Sequence, residues 1–415
     1  MENILFDFTS GEWDNQLLET LKDNKRKSYS VLIKKDKAYV SFITCNDIKY
    51  MCIYFCKNEE EVVSCLKQNK DIMLDYCYIK DFQTTKKEQY SIDIFSAKYS
   101  FLDGSVSFYG TQFGEADFSY SDFCDNKISF ENCLFKSHVN FYKTHLGKDK
   151  CNFLCARFGG GEIRFWGTEI GSIDFTHALF DGGSIEFLGA NADSIIFIHN
   201  KLNIHINLMM NGLKELVLTD CIIEKTITIN ENIKLEELSL SFLTILGSIR
   251  IKWCNNIYKA IKTGGFKLNK DKKYRYNSQG LADQFLILKE NFHRIGYYED
   301  EDAAYRAYMK FNTNKFPKCF LKVFGFIGGY GTRAWSILIA SIVIILGYGA
   351  FYFYSLKGVF SCFWDATYQS ALTFLTLGFI NSNTLGSEIM TITEGFLGLT
   401  LMSYFTVSLV RKILR

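Results

Sequence analysis

Proline is nearly absent: Pro317 is the one proline among 415 residues. Little else interrupts a backbone so firmly, so long regular elements are possible, although a bias of genome composition would leave the same trace. Net charge is also small. Lys and Arg number 47 against 45 Asp and Glu, giving +2, and no basic cluster rises above the background, which argues against nucleic acid as a partner. The first residues, Met1-Glu2-Asn3-Ile4-Leu5-Phe6, lack the basic stretch and apolar core of a secretory leader, so the long first part is expected to stay where it is made. Paired CxxC units are missing as well. The 13 cysteines are scattered, with Cys52/Cys56 and Cys151/Cys155 as loose pairs, so reduced structural thiols are expected rather than disulfides or a metal centre.

The chain is rich in apolar residues: 48% are hydrophobic and 16% aromatic. These averages conceal a division. Residues 334 to 410 carry only Lys357, Asp365, Glu388 and Glu394 as charges, whereas the preceding stretch is ordinarily charged. The boundary falls near Gly331.

The middle third repeats. Short apolar triplets end at Phe108, Phe130, Phe153, Phe175, Phe197, Thr219 and Leu240, and the period of about 22 residues is that of a solenoid. Within the first period Phe108, Phe113, Phe118, Phe123 and Ile128 recur every five residues, in units such as Ala116-Asp117-Phe118-Ser119-Tyr120. Over 106 to 130 this resembles the pentapeptide-repeat family. The five-residue register slips at Gly159-Gly160-Gly161 and Asp181-Gly182-Gly183, which read as turns, while the longer period persists. A right-handed β-solenoid over 101–260 is expected, of roughly seven coils about 4.8 Å apart; an antiparallel β-domain with chance spacing is the alternative.

Residues 1–100 combine a helical stretch, Trp13 to Lys25, with alternating strands over Tyr29 to Thr44 and Lys49 to Cys56. They fit a cap for the solenoid end or a small α+β sensory domain. Over 275–330 the period becomes helical: Phe285, Leu288, Phe292 and Ile295 form one stripe, Gly296 a break, and Ala303, Ala304, Ala307 and Tyr308 a second. Two antiparallel helices coupling the solenoid to the membrane are expected. The aromatic and basic segment Phe316 to Phe324, with Lys318 and Lys322, suits a bilayer interface or a plain linker.

Residues 331–415 form the last domain. Ala334 to Tyr354 is uncharged over 21 residues, about 31 Å as a helix, enough to cross hydrocarbon. Ile392 to Val410 is similar. Cations flank both runs on their outer sides, at Lys310, Lys315, Lys318, Lys322, Arg333, Arg411, Lys412 and Arg415, so both termini are expected in the cytoplasm of a two-span protein of the cell membrane. Between the runs, Trp364 to Thr373 predicts a short helix with Asp365 in its first turn. Thr373 to Phe379 predicts an extended segment whose carbonyls and Thr hydroxyl could replace a cation's hydration shell, with Gly378 supplying positive φ.

This arrangement resembles the two-transmembrane, pore-loop potassium-channel family. The family's Thr-x-x-Thr-x-Gly-Tyr-Gly-Asp pattern matches at Thr373, Thr376 and Gly378 and conservatively at Phe379, with Leu377 between; Ile380 and Asn381 depart from it. Glu394-Gly395-Phe396-Leu397-Gly398 and Arg411-Lys412 are similar to the family's second span, where Gly398, with Gly395 beside it, would be a hinge. The resemblance implies a homotetramer conducting K+ or Na+, since one loop supplies a quarter of a carbonyl ring. Ile380 disfavours positive φ and puts strict potassium selectivity in doubt. Gly398, Met402, Phe405 and Leu409 share a stripe that could line the conduction path or simply pack.

The function expected is a cation channel gated through a cytoplasmic solenoid that senses an unknown ligand, protein or mechanical state. The alternative is a membrane-anchored interaction scaffold with a degenerate, non-conducting loop. No enzyme, cofactor or resident metal is expected: His177, His199 and His205 occur singly within repeat strands, and Gly159-Gly160-Gly161 lacks the Lys-Ser/Thr of a phosphate loop.

Overall fold

The computed structural model describes residues 4–7, 26–44, 49–68, 70–84, 89–124, 126–269, 272–312, 318–356, 359–378 and 385–414. The helix expected over Trp13 to Lys25 lies outside them, as do Pro317 and Lys357. The chain divides into two compact units, Met1–Tyr276 and Asn277–Arg415.

The first unit is a β-solenoid of about nine turns. Coils are joined by main-chain hydrogen bonds: the Phe108 N–H donates to the Ser129 carbonyl at 2.8 Å, Phe130 to Asn152 at 2.7 Å, and Phe153 to Asp174 at 2.8 Å. One parallel row runs through Phe101–Ser107, Ile128–Ser129, Lys150–Asn152, Glu169–Asp174, Asn191–Ile198, Gly212–Thr219 and Glu237–Ser239. The strand Gln112–Asp117 begins two more rows, because Phe113 pairs with Phe135 and Ala116 with Val139. A fourth side is joined by single bridges from Phe101 to Asp122, His145 and Glu169.

A coil this short cannot bury a phenylalanine alone, so each ring is covered by its equivalent in the next coil. Phe108, Phe130, Phe153, Phe175 and Phe197 stack at 5.4, 4.9, 5.2 and 5.0 Å. Phe113, Phe135, Phe158 and Phe180 form a second column, and Phe118, Phe141, Phe165 and Phe187 a third. The ring spacing is the strand spacing. Further along, Leu202, Ile223, Leu208 and Ile229 occupy the buried positions, so the aromatic register fades while the coil length does not. At the glycine runs the backbones touch: a Cβ on Gly161 would lie 2.3 Å from the Ser137 main chain, and one on Gly183 2.2 Å from that of Gly161.

Both ends are covered. An antiparallel hairpin, Arg26–Lys34 and Lys37–Thr44, pairs with Lys49–Lys57, which continues in parallel onto Cys77–Gln83. Val40, Phe42 and Tyr54 pack there with Phe101, so these strands close the first coil. The ladder therefore enters the chain ahead of the first triplet. In those early coils the spacing is stretched, with Tyr78 opposite Phe101, Phe82 opposite Val106 and a register shift between them, and the helix Glu59–Gln68 is inserted. At the far end the helix Asn255–Thr263 buries Ile257, Ala260 and Ile261 on the strand Glu237–Ser239. No disulfide joins the described cysteines. Burial pushes the Cys77 thiol up to about 12 and Cys221 to about 11, which keeps both protonated and unreactive.

The second unit opens with a helical hairpin. Asn277 caps the helix Ser278–Ile295 by accepting from the Gly280 N–H at 2.7 Å, and Gly296 ends it at φ 79°. The returning helix is Tyr298–Phe311. Phe285, Leu288 and Phe292 from the first helix and Ala304 and Ala307 from the second are buried, as the stripes predicted. After Lys318–Gly328 and the elbow Gly329–Gly331 come the helices Ala334–Ser355, Phe363–Phe374 and Leu385–Ile413. The first and last of these are long and apolar enough to cross a membrane.

Candidate functional site

The short helix Phe363–Phe374 is seated between the two long ones because two glycines leave room for it. A Cβ on Gly349 would lie 2.7 Å from Thr367 Oγ1, and one on Gly398 would lie 2.0 Å from the Phe374 carbonyl oxygen. Each contact brings helix backbones closer than any side chain would allow. Around them Ile337, Phe374 and Leu401 form one apolar cluster, and Tyr352 and Ala366 another.

One carboxylate joins all three helices. Glu394 is fully buried; it accepts from Tyr352 Oη at 2.6 Å and from the Ser370 hydroxyl. Ser370 also reaches the Ile345 carbonyl at 2.9 Å. Both Glu394 oxygens are thus engaged, which offsets the cost of burying the group. At the start of the short helix Asp365 lies in the first turn as expected. The Ser361 hydroxyl and then Cys362 donate to it, holding its carboxyl below the ordinary range.

The other predicted loop residues follow a different course from the extended one expected. The helix continues through Phe374; Thr373 is buried, and its hydroxyl donates back to the Gln369 carbonyl at 3.0 Å. The Thr376 N–H donates to the Thr373 carbonyl at 2.9 Å and the Leu377 N–H to the Leu372 carbonyl at 2.8 Å. These two bonds make a Schellman closure, in which the last helical carbonyls take the nearest donors. Positive φ falls on Thr376, at 60°, rather than on Gly378. That is a strained state for a β-branched residue. Leu377 is 73% exposed and Gly378 half-buried; Phe379, Ile380 and Asn381 lie outside the described residues.

Gly395 and Gly398 are buried within the last helix. Gly398 sits at the closest helix contact. The stripe it was expected to share is divided, with Gly398 and Phe405 on the packed side and Met402 and Leu409 exposed.

A second polar node lies at the far end of the same helix. Arg411 is 3.3 Å from Asp302 and 3.7 Å from Glu301, and its guanidinium lies 4.3 Å over the Tyr305 ring. Glu301 and Asp302 are buried in the helical hairpin, and His293 meets Glu301 at 3.1 Å. Alongside, Arg306 donates to Thr332 Oγ1 at 2.8 Å and Ser408 to the Gly331 carbonyl at 3.1 Å. Burial and the Arg333 cation push Arg306 below its ordinary value, with Asp302 opposing. The hairpin thereby grips the end of the last helix by charge.

Tyr352, Ser370, Gly349 and the carboxylates Glu301 and Asp302 were not legible as site residues. Gly349 amid bulky apolar residues, and Glu394 as the one carboxylate of its run, were the available signals. Comparison with known protein families, curated proteins and solved structures finds no match. The resemblances to the pentapeptide-repeat and pore-loop families stand on the residues quoted for them.

Proposed function

We propose that the chain is the subunit of a tetrameric cation channel of the cell membrane, gated through its solenoid. The observation that carries this is the short helix wedged between two helices of membrane-crossing length by Gly349, Gly398 and Glu394. A polar-ended helix held there by backbone contact delivers the loop after Phe374 to one fixed place. Its outer stripe, Trp364, Tyr368 and Leu375, is exposed at 71%, 67% and 42%, an aromatic and apolar face that suits neighbouring copies around an axis. Thr376, Leu377 and Gly378 come after it, with Phe379 and Ile380 next in sequence, and would supply the oxygens that replace water around K+ or Na+. With the cations outside the two runs, both termini are cytoplasmic. A stimulus acting on the solenoid reaches the pore through the hairpin and Arg411, provided that it binds the open arrangement better than the closed one.

The Schellman closure favours the second reading, a membrane-anchored scaffold whose loop does not conduct. Cation flux into liposomes separates the two. A channel loses flux when Thr376 or Gly378 is replaced while tetramers persist. A scaffold gives no flux in the unmodified protein.

A further inference from the structure

The imidazoles of His177 and His199 stand at neither strand positions nor random surface sites. Both occupy the same corner of successive coils, at φ 57° and 56°, with backbone N–H groups bonded to the next coil at Ile198 and Thr219. Left-handed corners throw their side chains outward, and both residues are exposed. Because the coils are in register, the rings lie parallel, 4.9 Å apart and inclined by 10°. Next in the column comes Asp220, also at a left-handed corner with φ 52°, whose carboxylate meets His199 Nδ1 at 2.6 Å.

That contact has a directional consequence. A carboxylate on Nδ1 fixes the proton there and leaves the Nε2 lone pair as the free acceptor, which is how proteins orient metal-bound histidines. His177 presents a second imidazole one coil away, on a backbone that cannot shift relative to its neighbour without breaking the ladder. The separation exceeds the bite of a single ion, but exposed rings can tilt together by side-chain rotation alone. No three His, Cys, Asp or Glu side chains converge among the described residues, so a bound ion would keep open positions filled by water.

We propose that His177 and His199 form a two-imidazole clip for a late first-row divalent cation such as Zn2+, with Asp220 as the residue that positions His199. Imidazole nitrogen selects this class over Mg2+ or Ca2+, which prefer oxygen. The ion would staple adjacent coils, and the clip is independent of whether the pore conducts. Titration calorimetry of the full chain in nanodiscs with Zn2+ at pH 7.5 tests it. The expected result is a site of one ion per chain, weakened at least tenfold by His177→Ala and by His199→Ala and about tenfold by Asp220→Asn, with Mg2+ giving no heat at that site. The coil ladder is held by main-chain bonds, so unchanged circular dichroism is expected in each variant and checks that folding is retained. Absence of Zn2+ binding, or binding unaltered in the His177→Ala/His199→Ala double variant, overturns the proposal.

Discussion

At the scale of single residues, the seat of the short helix depends on atoms that are missing as much as on those present. Gly398→Ala would place a methyl 2.0 Å from the Phe374 carbonyl oxygen, whereas Gly386, in the same helix, has nothing within 4 Å of its added carbon. Gly398→Ala should therefore cost about 1–3 kcal/mol by overpacking, while Gly386→Ala should cost nothing; thermal unfolding of the two variants in detergent compares them. Glu394 makes the complementary case. Replacing it with Leu leaves the Tyr352 hydroxyl stranded, because Ser370 retains the Ile345 carbonyl as an acceptor. One unsatisfied buried group should cost roughly 1–3 kcal/mol, and Tyr352→Phe in the same chain should recover part of it. A double-mutant cycle with no coupling would show that the two side chains do not act together.

Among the elements, the hairpin and the last helix are joined by an uneven charge balance, with one Arg411 serving two buried carboxylates. Arg411→Met should destabilise the second unit by about 3 kcal/mol, the lower range for a broken buried pair, since the arginine is a quarter exposed. Adding Glu301→Gln and Asp302→Asn should restore much of the loss in chemical unfolding. The hairpin itself was legible from its two stripes and Gly296. Its acidic grip was not, because Glu301 and Asp302 sit near the start of the helix Tyr298–Phe311, where carboxylates are ordinary for dipole reasons alone. The short helix was legible through Asp365 and the flanking apolar runs. Its extension through Phe374 was missed: spacing that matches a filter says which residues could supply oxygens, but local donors decide whether a helix has ended.

On the scale of the whole molecule, the solenoid was legible wherever Phe repeats every coil and illegible where Tyr78, Phe82 and an inserted helix stretch the period. The ladder's regularity carries its own test. Phe153 and Phe175 are stacked equivalents one coil apart, so deleting residues 154–175 removes one full period and should leave a folded rod shorter by about 4.8 Å. Deleting only half that length puts inward side chains outside and should abolish cooperative unfolding. Both outcomes are read by circular dichroism and limited proteolysis. The central claim concerns the other unit, and the most direct measurement is the reversal potential of the reconstituted full chain under a KCl gradient, then in mixed K+ and Na+. A reversal potential on the cation side of zero is the predicted result, with Na+ carrying a share of the current because of Ile380. A potential that follows chloride, or no current under any stimulus, would contradict the account.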